Sequence, residues 1–137
     1  VTDDEFKKQL QAKREERRKA AEERDMAANE AIKRALVAVD FDEAKVVVHR
    51  LPPEHGGAVV YSLPGVEFWA AYMRRLVASE KRGNLPEVTA GLVENKDLLL
   101  HPKLSELQAW QEANPGLYTS IANTIGTRCD GLDPGKG

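Results

Sequence analysis

This chain is short of the residues that mark several protein classes, and each shortage excludes something. It has one cysteine, Cys129, so no disulfide can form within it and the fold does not depend on an oxidising compartment. No apolar run approaches the roughly 18 residues that cross a bilayer. The first thirty residues alternate in charge and hold no apolar signal-peptide segment. The expected place is therefore the cytosol, or a particle assembled there. An excess of one charge is missing too: 20 basic and 22 acidic residues leave a formal net charge of -2. That balance gives no overall pull towards nucleic acid or an anionic membrane. Aromatic residues make up only 6%, but 42% of the 137 residues are hydrophobic, enough for the core of one domain with at most an appendage.

Glycine and proline are absent from residues 1 to about 38, and the stretch predicts one long helix. Thr2 and Glu5 have the spacing of a capping box. Asp3, Asp4 and Glu5 suit the positive end of the helix dipole. Glu15/Lys19, Arg18/Glu22, Lys19/Glu23 and Glu30/Arg34 stand four apart, each pair contributing roughly 0.2–0.5 kcal/mol. The larger apolar residues lie towards the ends: Phe6 and Leu10 near the start, then Ile32, Leu36, Val37 and Val39. Between residues 11 and 25 alanine is the only apolar type, so this middle is expected to stand in water or cross a polar interface. Heptads are not sustained, which argues against a long coiled coil.

Asp40-Phe41-Asp42-Glu43 marks a junction. Lys45 to Leu51 is rich in β-branched residues and predicts a strand, Pro52 to Gly57 a turn, and Ala58 to Leu63 a second strand. A lone hairpin is marginal in water, so it must pack on helices or gain a strand from a partner. Residues 66–82 predict a helix with Val66, Trp69, Ala70, Met73, Leu76 and Val77 on one face, Phe68 and Tyr72 in an adjacent stripe, and Gly83 as its stop. Pro86 opens a shorter helix with Val88, Leu92 and Val93, and Leu98-Leu99-Leu100 predicts a buried cluster. Pro102 suits the first turn of a helix carrying Leu104, Leu107 and Trp110. Asn114-Pro115 repeats a cap-then-proline signal before a helix presenting Leu117, Ile121, Ala122 and Ile125 and ending at Gly126. The expected fold is α+β, mostly α. Residues 1–40 form an extended charged helix, 41–128 a compact domain with one β-hairpin and three to four short helices, and 129–137 a loose tail.

Reactive chemistry is sparse. His49, His55 and His101 fall in a strand, a turn and a helix start, with no pair at metal-ligand spacing and no HExxH. His55-Gly56-Gly57 faintly echoes an oxyanion loop, but no GxSxG elbow supplies a nucleophile. Asp40, Asp42 and Glu43 lack the alternation and glycine of a calcium loop. Arg128 is able to lower the pKa of the neighbouring Cys129, yet no histidine is close in sequence. No phosphate-binding glycine loop occurs. No catalytic residue, metal ligand or cofactor is assigned, and an enzyme is not expected.

Arg14, Arg17 and Arg18 are the candidates for nucleic-acid contact. Glu15, Glu16, Glu22 and Glu23 interleave with them and no aromatic is present for base stacking, so a salt-bridged helix in solvent is the simpler reading. The candidates for protein contact are Phe6, Leu10, Phe68, Trp69, Tyr72, Trp110 and Tyr118, since aromatic anchors dominate binding hot spots. For each of the aromatics, core packing is the ordinary alternative.

One ordered set of segments carries a family likeness. A valine-rich strand leads through Val60-Tyr61-Ser62-Leu63-Pro64 into Val66-Glu67-Phe68-Trp69. Leu98-Leu99-Leu100-His101-Pro102 then precedes Leu104-Ser105-Glu106-Leu107, and Asn114-Pro115-Gly116-Leu117-Tyr118 opens a helix with Ile121 to Ile125. In this order residues 45–126 resemble the small tail-assembly chaperones of long-tailed bacteriophages. The resemblance implies an α+β or mostly α fold and a role in binding the tape-measure protein and delivering tail-tube subunits, in the host cytoplasm during assembly. The charged N-terminal helix lies outside it. A virion structural protein touching neighbouring subunits through that helix is the first rival, a nucleic-acid-binding accessory protein the second, an enzyme the last. The expected partners are other proteins, tail or virion components and a second copy of the chain. Nucleic acid and membrane are not among them.

Overall fold

A computed structural model describes residues 1–130. The first helix, α1, runs from Asp3 to Ala38. Thr2 caps it, its hydroxyl accepting from the Glu5 N–H at 3.2 Å. At 1.5 Å per residue its 36 residues extend about 54 Å. The helix ends where Asp40 and Phe41 enter the left-handed region at φ 55° and 62°, and the Phe41 N–H donates to the Leu36 carbonyl at 2.7 Å. Of the expected ion pairs only Arg18–Glu22 forms; Glu15 turns to Arg18 and Glu30 to Lys33 instead. Residues three apart share a helix face as well as residues four apart do, and Arg18 reaches both ways.

The predicted hairpin is present, β1 spanning Val46–Arg50 and β2 spanning Ala58–Ser62, with Val48 opposite Val60. A third strand, β3 (Leu99–His101), pairs antiparallel with the other edge of β2. It replaces the cluster expected at Leu98-Leu99-Leu100. Leu98, just before the strand, is buried; within it Leu99 packs against the main core while its neighbour Leu100 is 48% exposed, because successive residues on a strand point to opposite faces.

The sheet is covered on both faces. Val46 and Val60 meet α1 at Ala31 and Ala35. Val47, Val59 and Tyr61 face a core shared with the remaining helices, α2 (Val66–Arg82), α3 (Leu85–Val93), α4 (Leu104–Ala113) and α5 (Leu117–Cys129). Double coverage explains why β2 is buried from Ala58 to Tyr61 rather than at alternate positions. The Tyr61 hydroxyl donates to the Val93 carbonyl at 2.7 Å, fastening the central strand to the end of α3.

The alanines of α1 have a use that their small size concealed. Asp3 to Lys19 does stand in water, with only Leu10 partly covered. Beyond it Ala21, Ala28, Ala31 and Ala35 are the buried residues of the helix, one stripe laid along the hairpin. The expectation for the middle therefore holds only up to about residue 20. Small side chains let the helix axis come close to the turn, where Gly57 sits against Ala28 and Asp25. Ile32, Leu36 and Val39 pack at the end of the stripe, whereas Val37 is 62% exposed.

Three helix-end assignments change. Pro102 precedes α4, whose cap is Lys103. Asn114 and Pro115 form the turn before α5: the Leu117 N–H donates to the Asn114 carbonyl at 2.9 Å. The capping acceptor for α5 is Gln111, whose Oε1 takes the Tyr118 N–H at 2.9 Å. Gly126 does not stop α5, which continues to Cys129; the Trp69 ring packs over it, 3.7 Å from where a Cβ would stand. Cys129 is thus buried in a helix rather than loose in a tail, and residues 131–137 of the expected tail lie outside the described residues.

Candidate protein-docking site

Helix α2 buries Trp69, Tyr72 and Ser79. Val66, Met73 and Val77, expected on its inner face, are 44%, 39% and 67% exposed. Apolar residues run round more of this helix than one contact can cover. Its neighbours α3 and α5 take the Trp69–Tyr72–Leu76 stripe, and the flank beside it faces outward.

That flank borders a groove of about 1250 Å³ between α2 and α5, with Leu85 and Pro86 of α3 also lining it. Trp69 and Tyr72 lie at its base with ring centroids 5.1 Å apart, tilted by 33°. Met73, Val77 and the 51%-exposed Leu85 stand at its edge. Tyr118, Ala122, Gly126 and Cys129 of α5 line the other side. Small-molecule pockets run to about 300–1,000 Å³, so this longer apolar trough suits a polypeptide better than a metabolite.

Two lining groups are held fast. The Tyr118 hydroxyl donates to the Glu94 carboxylate, which also accepts from Gln108 Nε2 at 3.3 Å. Burial and the nearby Glu94 push the Tyr118 hydroxyl well above its ordinary pKa, so it stays a donor and ties α5 to the end of α3. Burial pushes the Cys129 thiol up to about 11, Asp130 adding to it and Arg128 opposing it. The adjacent arginine, read from sequence as activating, is outweighed. At pH 8 the thiolate fraction falls roughly 100-fold below that of an unperturbed cysteine. Iodoacetamide is expected to leave Cys129 unmodified in native protein and to label it at once in denaturant, as read by mass spectrometry. Rapid native labelling would contradict the burial.

Of the protein-contact candidates, Trp69, Tyr72 and Tyr118 come together at the groove. Phe68 packs into the core, and Trp110 covers the hairpin turn, its ring 2.6 Å from where a Cβ on Gly56 would be. Phe6 is 59% exposed and Leu10 partly exposed, both far out on α1. The sequence reading missed Leu85 and the exposure of Met73 and Val77. Its usable signal was a helix with more apolar residues than a single face needs. Arg14, Arg17 and Arg18 share a shallow cleft with Glu22, Asp25 and Glu54, and Arg18 is already paired with Glu15 at 2.9 Å and Glu22 at 2.8 Å. The three arginines of this cleft are matched by its three carboxylates, so it presents no net positive charge to a phosphate.

Among the described residues no three His, Cys, Asp or Glu side chains gather in a metal-binding group, and no helix is long and apolar enough to cross a membrane. His49 Nδ1 lies 2.7 Å from the Thr124 hydroxyl, which itself donates to the Ser120 carbonyl, so the ring is the donor. Burial holds His49 and His101 below the usual histidine value of 6.5; at His101, Glu106 opposes and Arg34 reinforces this. An unfolded histidine takes up its proton near pH 6.5 while these two do so at lower pH, so stability is whole above that value and falls as the pH drops below it. Thermal unfolding should show a lower Tm at about pH 5.5 than at about pH 7.5. The difference should shrink when both histidines are replaced by glutamine. No protein-family model, curated protein or solved structure matches the chain.

Proposed function

We propose that this chain is an assembly protein that works by docking helical segments of protein chains in the groove between α2 and α5. The observation that carries the reading is the exposure of Met73, Val77 and Leu85 beside the Trp69–Tyr72 base. An amphipathic helix laid in such a trough is a recurring mode of recognition, and methionine adapts its shape to the partner. Covering one aliphatic side chain fully contributes about 1.5–3 kcal/mol, while a micromolar contact requires about 8 kcal/mol net. Met73, Val77 and Leu85 are only 39%, 67% and 51% exposed, so what remains to be covered on them contributes about 2–5 kcal/mol in all and falls short; a partner must also reach the aromatic base.

The likeness of residues 45–126 to tail-assembly chaperones gives this activity a client. A tape-measure helix carries an apolar stripe that must be covered until the tail tube closes around it, and a trough of this shape suits that task. Val77→Glu tests the reading without disturbing the core, since Val77 is 67% exposed. Coexpressed with the tape-measure protein, the natural chain should copurify with it and be absent from finished particles. The variant should retain about tenfold less, or lower, a loss of at least ~1.4 kcal/mol. Undiminished capture by Val77→Glu would sink the groove as the docking surface. A chain found in particles at fixed copy number would select the virion structural role, which the projection of Asp3 to Lys19 from the body favours.

A further inference from the structure

The exposed end of α1 has the features that the groove lacks. Phe6 and Leu10 stand one turn apart on the same side of the helix, and Phe6 is 59% exposed. Asp3, Asp4 and Glu5 precede them, and among the described residues none of the three forms an ion pair. The α2 side of the groove carries the opposite sign. Arg74 lines the groove, and with Arg75 and Arg82 it also lines the adjoining hollow. Among the described residues these three arginines are likewise without ion pairs. Lys7 and Lys8 follow the acidic turn, and among the described residues the one acid lining the groove is Asp130. Each surface thus offers apolar residues bordered by charges that the other complements.

The two surfaces of one molecule do not meet. Helix α1 is unbroken from Asp3 to Ala38, without glycine or proline, and its later half is fixed to the sheet through Ala21, Ala28, Ala31 and Ala35. Its first turns project from that seat and cannot fold back to the α2–α5 side. We propose that they lie in the groove of a second copy, with Phe6 and Leu10 against the Trp69–Tyr72 base and the acidic turn beside Arg74. The contact joins unlike surfaces, so each copy keeps one free arm and one free groove and association proceeds head to tail, into a ring or an open chain. The proposal rests on the groove being a helix-docking surface and names the helix.

Two exposed substitutions test it, Phe6→Glu in the arm and Val77→Glu in the groove, each checked for retained helicity by circular dichroism. In sedimentation across a concentration series, the natural chain should grow beyond two copies and shrink again in high salt. Each variant alone should remain a single copy. Mixed in equal amounts, the variants should form a pair that grows no further, because only one arm and one groove are intact. A natural chain that stays single, association that survives either variant, or variants that ignore each other would overturn the proposal. A single-copy chain whose Val77→Glu form still loses the tape-measure protein would refute the second copy and keep the groove. If removing residues 131–137 is what first permits association or client capture, that segment is the occupant and the proposal fails.

Discussion

Replacing Gly57 with alanine is expected to lower the unfolding free energy by about 2–5 kcal/mol, a large share of the roughly 5–15 kcal/mol that holds a domain of this size. Two causes act together. Gly57 has φ +83°, where a side chain is strained whatever the space around it. A Cβ there would also stand 3.3 Å from Ala28 Cβ and from Asp25 Cα, and 3.4 Å from the Arg24 carbonyl oxygen. Two of those three atoms are helix backbone and cannot swing aside as a side-chain tip does. Gly83 separates the causes, for it has φ +66° with nothing within 4 Å of the point a Cβ would occupy. Gly83→Ala should cost only the backbone strain, about 1–2 kcal/mol. Urea unfolding of the two variants measures the difference. Equal losses would mean that the close seat of α1 on the hairpin turn contributes nothing.

Leu107→Ala should be nearly as damaging, by about 2–5 kcal/mol. Leu107 is fully buried and is the only buried residue of α4. The rest of that helix is held by Trp110 over Gly56, by Gln108 on Glu94, and by Gln111, which bonds Pro115 and Tyr118 in the turn beyond. Removing the leucine opens a cavity in the main core and leaves the partly buried Trp110 to hold the helix there. Native-state hydrogen exchange should therefore speed up across Leu104–Ala113 more than across α5. A loss below about 1 kcal/mol, or uniform exchange, would show that α4 is fixed by its ends instead.

Much of the fold was legible because some signals are local. Thr2 at a cap, the long stretch without glycine or proline, the valine-rich pair of segments and Gly83 in the left-handed region act on their own few residues. Other features had no local trace. Leu99–His101 is a strand only because β2 has a free edge beside it. Gly126, a stop by propensity, lies inside α5 with the Trp69 ring packed over it. The aromatic candidates were similar in sequence and divided by the packing, with Trp69, Tyr72 and Tyr118 at the groove, Phe68 in the core and Trp110 over the turn.

By itself the sequence determined an α+β chain with a long charged helix, a hairpin and further helices, together with a set of aromatic residues from which a surface could be built. Periodicity, capping and turn chemistry act over a few neighbouring residues, so they can be read in one dimension. Which residues stay uncovered was decided only in the tertiary structure. Met73 and Val77 are exposed because α3 and α5 reach one stripe of α2 and no more, and Ala28 becomes a contact because Gly57 lies opposite it. Both depend on the distance between elements far apart in the chain, which no local pattern encodes.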